Sequence, residues 1–124
     1  MVNSDLFASS WVMAVALAVR LGIGPWPSDP WLIGLSTMAV GTSLWNHGST
    51  NVVALWFDRV VVSILGLYIL IPCVIAGSFN VTQCLLWISV LCFFWSKLNS
   101  HDEDLRVRAH KNSHYWAAAG ALSL

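Results

Sequence analysis

Charge in this chain is confined to a few places, and that confinement decides which solvent the chain can fold in. Six of its twelve charged residues fall between Asp102 and Lys111, and the apolar runs elsewhere are nearly free of them. Charged residues make up 10% of the 124 and hydrophobic residues 57%, against about 25% charged in an ordinary soluble domain. Too little charge remains to build a hydrated exterior, so lipid must be the solvent for much of the surface. The implied fold is all-α: one polytopic transmembrane helical bundle over residues 1–124, with four to five helices.

Apolar segments separated by strong breakers set the helix boundaries at about 6–23, 31–47, 52–77, 81–96 and 105–123. The first is interrupted only by Arg20, whose long stem can carry its charge toward an interface. Pro25, Pro27 and Pro30 then forbid continuation. Gly48-Ser49-Thr50-Asn51 is a turn in which Thr50 or Asn51 can cap the next helix. Ser78-Phe79-Asn80 separates the third segment from the fourth. Crossing a bilayer takes about 20 residues, with a usual range of 17–25, so the second and fourth segments are short spans. The fifth begins beyond the polar linker Ser100-His101-Asp102-Glu103-Asp104. Its first third is polar, so it can lie at membrane depth only inside a protein bundle.

Basic residues orient the bundle. With the N-terminus in the cytoplasm, Arg59, Lys97, Arg106, Arg108 and Lys111 are cytoplasmic and only Arg20 is opposite. Trp45, Trp56 and Trp95 then sit near the cytoplasmic ends, with Trp26 and Trp31 at the other face, as in two aromatic belts. The first residues carry Asp5 and no Lys or Arg, so the basic start of a secretory signal is missing and the first segment is expected to be retained. Neutral net charge and the lack of a basic tract argue against a nucleic-acid partner. Cys73, Cys84 and Cys92 show no metal-ligand spacing and read as buried free thiols, with a Cys73–Cys84 disulfide as the alternative.

Five polar side chains interrupt the apolar pattern in a way that points to chemistry. Ser43 and His47 share one face of the second helix, as do His110 and His114 on the fifth. At 1.5 Å per residue on either side of the turn at Gly48 to Asn51, Asp58 lies level with Ser43 and His47. In the N-inside topology the fifth helix brings its histidines in from the same side. Ionisable groups within spanning segments are costly and mark function by default. Three imidazoles with one open position form the ligand set of a catalytic zinc, in contrast to a closed structural site. A nearby carboxylate can accept a proton from water activated by the metal, and a hydroxyl can donate to a developing oxyanion.

Ser43-x-x-x-His47, then Asp58 eleven residues on, then His110-x-x-x-His114, resembles the motif set of the CREST superfamily of membrane hydrolases. The alkaline ceramidase branch looks most similar. Its S-x-x-F-H motif, followed by a small residue and a Thr, is matched here by Ser43-Leu44-Trp45-Asn46-His47-Gly48-Ser49-Thr50. Its later Asp is matched by Trp56-Phe57-Asp58, and its last helix by His110 to His114 followed by Tyr115-Trp116-Ala117-Ala118-Ala119-Gly120. The resemblance implies Zn2+ on His47, His110 and His114, with Asp58 and Ser43 as catalytic helpers. It also implies hydrolysis of a ceramide-type membrane lipid to a fatty acid and an amine. The family fold has seven spanning helices, whereas five segments are legible here, and Lys111, Asn112 and Ser113 replace the family's aromatic and apolar residues.

Other readings use the same residues differently. The chain could be a non-catalytic membrane scaffold, or a fragment assembling with partner membrane subunits or with further copies. Haem between helix histidines is a third option. Ser43 could bond back to its own helix, Asp58 could be a surface charge beside Arg59, and His110 and His114 could open a solvated helix. The Gly34 to Gly41 stretch reads as a helix-packing face. Asn80-Val81-Thr82 fits a glycosylation sequon but lies in a short turn close to the membrane.

Overall fold

A computed structural model describes residues 3–124, which form five α-helices and no strand. They are α1 (Ser4–Gly22), α2 (Pro30–Gly48), α3 (Val52–Ala76), α4 (Val81–Leu98) and α5 (Glu103–Leu122). Each helix starts on an Asn or Asp whose side chain accepts a main-chain N–H of the first turn: Asn3, Asp29, Asn51, Asn80 and Asp102. Such a cap satisfies donors that the helix itself leaves free. Asn51, not Thr50, caps α3. At Asn80 the Gln83 side chain returns the bond and completes a capping box. Gly77, in the left-handed region at φ 66°, ends α3, and Gly24 at φ 75° turns the chain after α1. The fifth helix starts two residues before the expected boundary, because Asp102 caps it.

Around the bundle the helices run in the order α3, α2, α1, α5, α4, with broad seams throughout except a thin one between α3 and α4. The polarity of this arrangement is inverted relative to a soluble domain. Its interior includes Ser9, Ser10, Ser36, Ser43, Ser96, Asp58 and three histidines, with Ser10 and Ser96 fully buried. Its exterior carries large apolar side chains, Ile75 at 81% exposed and Leu98 at 76% among them. An apolar solvent reverses the usual penalty, so polar groups gain by facing one another. Helices α1, α3 and α4 are long and apolar enough to cross a membrane. Helix α2 and polar α5 are not among them; α5 lies between α1 and α4 and turns His110, Ser113, His114, Ala118 and Gly120 inward. Trp31, Trp45, Trp56 and Trp95 stand exposed near helix ends, and Trp26 is exposed in the α1–α2 loop.

Several expectations change. Gly34 and Gly41 are exposed, with open space where a Cβ would sit, so they pack nothing. The packed glycines are Gly48, against the Phe7 ring, and Gly120, where a Cβ would fall 2.6 Å from Leu86 Cδ2. Of the thiols only Cys73 is buried; Cys84 is exposed, Cys92 is half-buried, and all three are free. These two outer thiols both lie on α4.

Candidate metal centre

Of the five residues singled out in the sequence, the three histidines cluster, Ser43 reaches His114, and Asp58 lines the same chamber as Ser43, His110 and His114. His47 comes from the last turn of α2, Asp58 from the second turn of α3, and His110 and His114 from adjacent turns of α5. Each is buried, as is Ser43. The His47 ring centroid lies 4.8 Å from that of His110 and 5.2 Å from that of His114, and the two α5 rings are 4.8 Å apart. One nitrogen from each ring can be chosen so that all three lie within 4.8 Å of one another. A tetrahedral ion with bonds of about 2.1 Å holds its ligand nitrogens about 3.4 Å apart, so small side-chain rotations close the set.

Hydrogen-bond accounting supports the fit. His47 Nε2 and His110 Nδ1 are buried and have no partner. Buried polar atoms are almost always satisfied, and two unpartnered imidazole nitrogens in one cluster are compatible with a shared ion. His114 differs: its Nδ1 lies 2.7 Å from Ser9 Oγ. The Ser9 hydroxyl itself donates to the Leu6 carbonyl at 3.0 Å. Ser9 thus orients the His114 ring; with the proton on Nδ1, the lone pair on Nε2, which faces the Ser43 hydroxyl, is the one that could bind a metal. A buried His47, His110 and His114 group that can hold a metal ion is therefore present.

Ser43 does not bond back to its own helix. Its Oγ is 3.1 Å from Ser10 Oγ and 3.4 Å from His114 Nε2. Nor is Asp58 a surface charge: it is 4% exposed and accepts from Asn46 Nδ2 at 2.9 Å and Thr42 Oγ1 at 3.4 Å. The final two turns of α2 thus present two rows. Ser43 and His47 face α1 and α5, while Thr42 and Asn46 hold Asp58 of α3. Reading the sequence missed Ser9, Ser10, Thr42 and Asn46. The last two carried a signal, since they repeat the four-residue spacing of Ser43 and His47 one position earlier.

Two openings flank the histidines. An inner chamber of about 100 Å³ is lined by Ser43, Asp58, His110 and His114 at one end and by apolar residues such as Val40, Leu65 and Phe93 beyond. A wider mouth of about 540 Å³ is lined by His47, Asn46, Arg59, Lys97, Glu103 and Arg106. His110 borders both. Comparison with protein families, with curated proteins and with solved structures finds no match to this chain, so the functional reading rests on this geometry.

Proposed function

We propose that this protein is a membrane-embedded, zinc-dependent hydrolase of lipid amides, similar in chemistry to the alkaline ceramidase branch of the CREST superfamily. The observation that supports it is the convergence of three buried imidazoles, two with orphaned nitrogens, beside a buried serine and a buried carboxylate. His47, His110 and His114 would hold the zinc, which would supply a Lewis acid able to activate water. Asp58, held by Asn46 and Thr42, is the carboxylate that would accept a proton. The Ser43 hydroxyl, beside His114 Nε2, donates to the oxygen that gains negative charge as the amide carbonyl becomes tetrahedral. Ser9 holds the His114 ring and acts as a positioning residue. The apolar part of the chamber keeps water from the acyl chain. In this reading the site lies at the cytoplasmic end of the bundle, with the N-terminus on the same side, an orientation supported by the distribution of basic residues.

Metal analysis of purified protein tests the assignment. Close to one zinc per chain, lost in His47→Ala, is expected. Less than about 0.2 metal per chain, unchanged by that substitution, would sink it. A second reading, a non-catalytic scaffold of the same fold, is favoured by one observation. Asp58 is already satisfied by Asn46 and Thr42, which is how a carboxylate pins α3 to α2 without any chemistry. That reading yields metal without amide hydrolysis.

A further inference from the structure

We infer that the polar mouth beside the histidines is a binding site for the anionic headgroup of a membrane lipid, its phosphate above all, built from Arg59, Lys97 and Arg106. Three cations from three different helices line this one opening, and Glu103 is the one carboxylate among its lining residues. Glu103 does little to neutralise them. It reaches only Arg106, at 4.0 Å, with its side chain 75% exposed, and such surface pairs are weak. Asp58, next to Arg59 in sequence, is within Coulombic reach of Arg59 and Lys97, but it lines the inner chamber, not the mouth, and takes its hydrogen bonds from α2.

The cations are held in place by groups that leave N–H donors free. Arg59 Cζ lies 5.3 Å from the Trp56 ring centroid, and Lys97 Nζ lies 4.8 Å from that of Phe93. Arg59 Nε is buried without a partner. Like charges gathered around one opening repel one another, and a bound anion relieves that. Exposed Trp56 and Trp95 stand at the same end, the depth at which indole rings meet headgroups. Charges serving only to orient the chain need not converge on one opening. Basic pockets between helices on the cytoplasmic side are a known route to headgroup binding. Because His110 borders both spaces, a lipid seated at the mouth would place its linkage beside the imidazoles and its chain in the chamber. Only this last step, which makes anionic lipids the substrate class, rests on the hydrolase reading.

The test uses the full chain reconstituted in phosphatidylcholine nanodiscs doped with phosphatidylglycerol, with lipid retention read by native mass spectrometry and metal content measured on the same samples. Phosphatidylglycerol should be retained over phosphatidylcholine by about fivefold for each cation engaged, since each Lys or Arg near the surface contributes roughly that factor. Arg59→Gln and Arg106→Gln should each lose about fivefold, Arg59→Lys should keep the preference, and Glu103→Gln, at an exposed position, should raise it. Equal retention of the two lipids, or a preference untouched by both Arg→Gln changes in helical protein, overturns the inference. Displacement by inorganic phosphate with no preference for lipid overturns its lipid part. Headgroup preference in metal-free protein would leave the site standing while the hydrolase reading fell.

Discussion

Ser9 and His114, 105 positions apart, meet across the α1–α5 seam with Oγ and Nδ1 separated by 2.7 Å. The bond ties the first helix to the last and orients the His114 ring, whose Nε2 lies 3.4 Å from Ser43 Oγ. Partners of this kind around a ligating histidine typically govern 10- to 100-fold of metal affinity. Ser9→Ala should therefore weaken zinc binding by about that factor while leaving helix content unchanged. Chelator competition monitored alongside circular dichroism would check it, and an unaltered affinity would remove Ser9 from the site.

Substitutions at Asp58 and at the histidines should separate along metal content. His110→Ala and His114→Ala should each lose the metal, because each removes one of three ligands. Asp58→Asn should retain it and lower amide hydrolysis by about 10²- to 10⁴-fold, the usual contribution of a general base. Turnover of a fluorescent ceramide analogue, measured with zinc content on the same preparation, distinguishes the two patterns. Hydrolysis that survives Asp58→Asn at full rate excludes the carboxylate as the proton acceptor.

Gly120 is the close-approach point between α5 and α4. An added Cβ would meet Leu86 Cδ2 at 2.6 Å and Cγ at 2.9 Å, well inside ordinary contact. Gly120→Ala should destabilise the bundle by about 1–3 kcal/mol through overpacking. Pairing it with Leu86→Ala should recover part of the loss. Gly34→Ala and Gly41→Ala, which face open space, should be tolerated. Thermal unfolding in detergent would compare the four variants.

Tyr68 donates its hydroxyl to both carboxylate oxygens of Asp29, at 2.9 and 2.8 Å, and so fastens the start of α2 to α3 at the end remote from the histidines. That bond, with the Leu32 and Trp31 N–H groups, holds the Asp29 carboxyl below its ordinary value against a smaller opposing effect of burial. A carboxylate depressed in the folded state contributes stability that is complete above its unfolded pKa, near 3.8, and lost as the pH falls through the folded value. Tyr68→Phe should raise the Asp29 pKa and flatten the acid limb of the stability curve below about pH 4. Asp29→Ala should additionally cost about 1 kcal/mol through loss of the cap.

Much of the architecture was legible because it depends on local chemistry. The three prolines after Ile23, the turn at Gly48 to Asn51 and the scarcity of charge act within a few residues of themselves, so the approximate helix boundaries and lipid-facing character follow from the chain alone, while the Asp102 cap and the earlier start of α5 came from the structure. The polar set of Ser43, His47, Asp58, His110 and His114 was equally visible, since ionisable groups cannot enter an apolar segment without a partner or a purpose. What pairing each group would find was not visible. A serine that bonds its own helix and one that orients a histidine look alike in sequence; Ser9 does both, and only the α1–α5 seam reveals it. Gly34 and Gly41 carry the same small side chain as Gly48 and Gly120, yet only the second pair faces a neighbour.

The primary structure by itself determined an all-helical chain of four to five segments, a lipid-compatible exterior and the level along the helices at which the polar residues lie, because helix pitch and transfer free energies act along the chain. The tertiary structure alone decided that α5, too polar to face lipid, sits between α1 and α4, that Asp58 pairs with Asn46 and Thr42, and that three imidazoles converge. Those outcomes depend on how helices rotate about their own axes and which seams close, and rotation is set by packing between segments far apart in the chain.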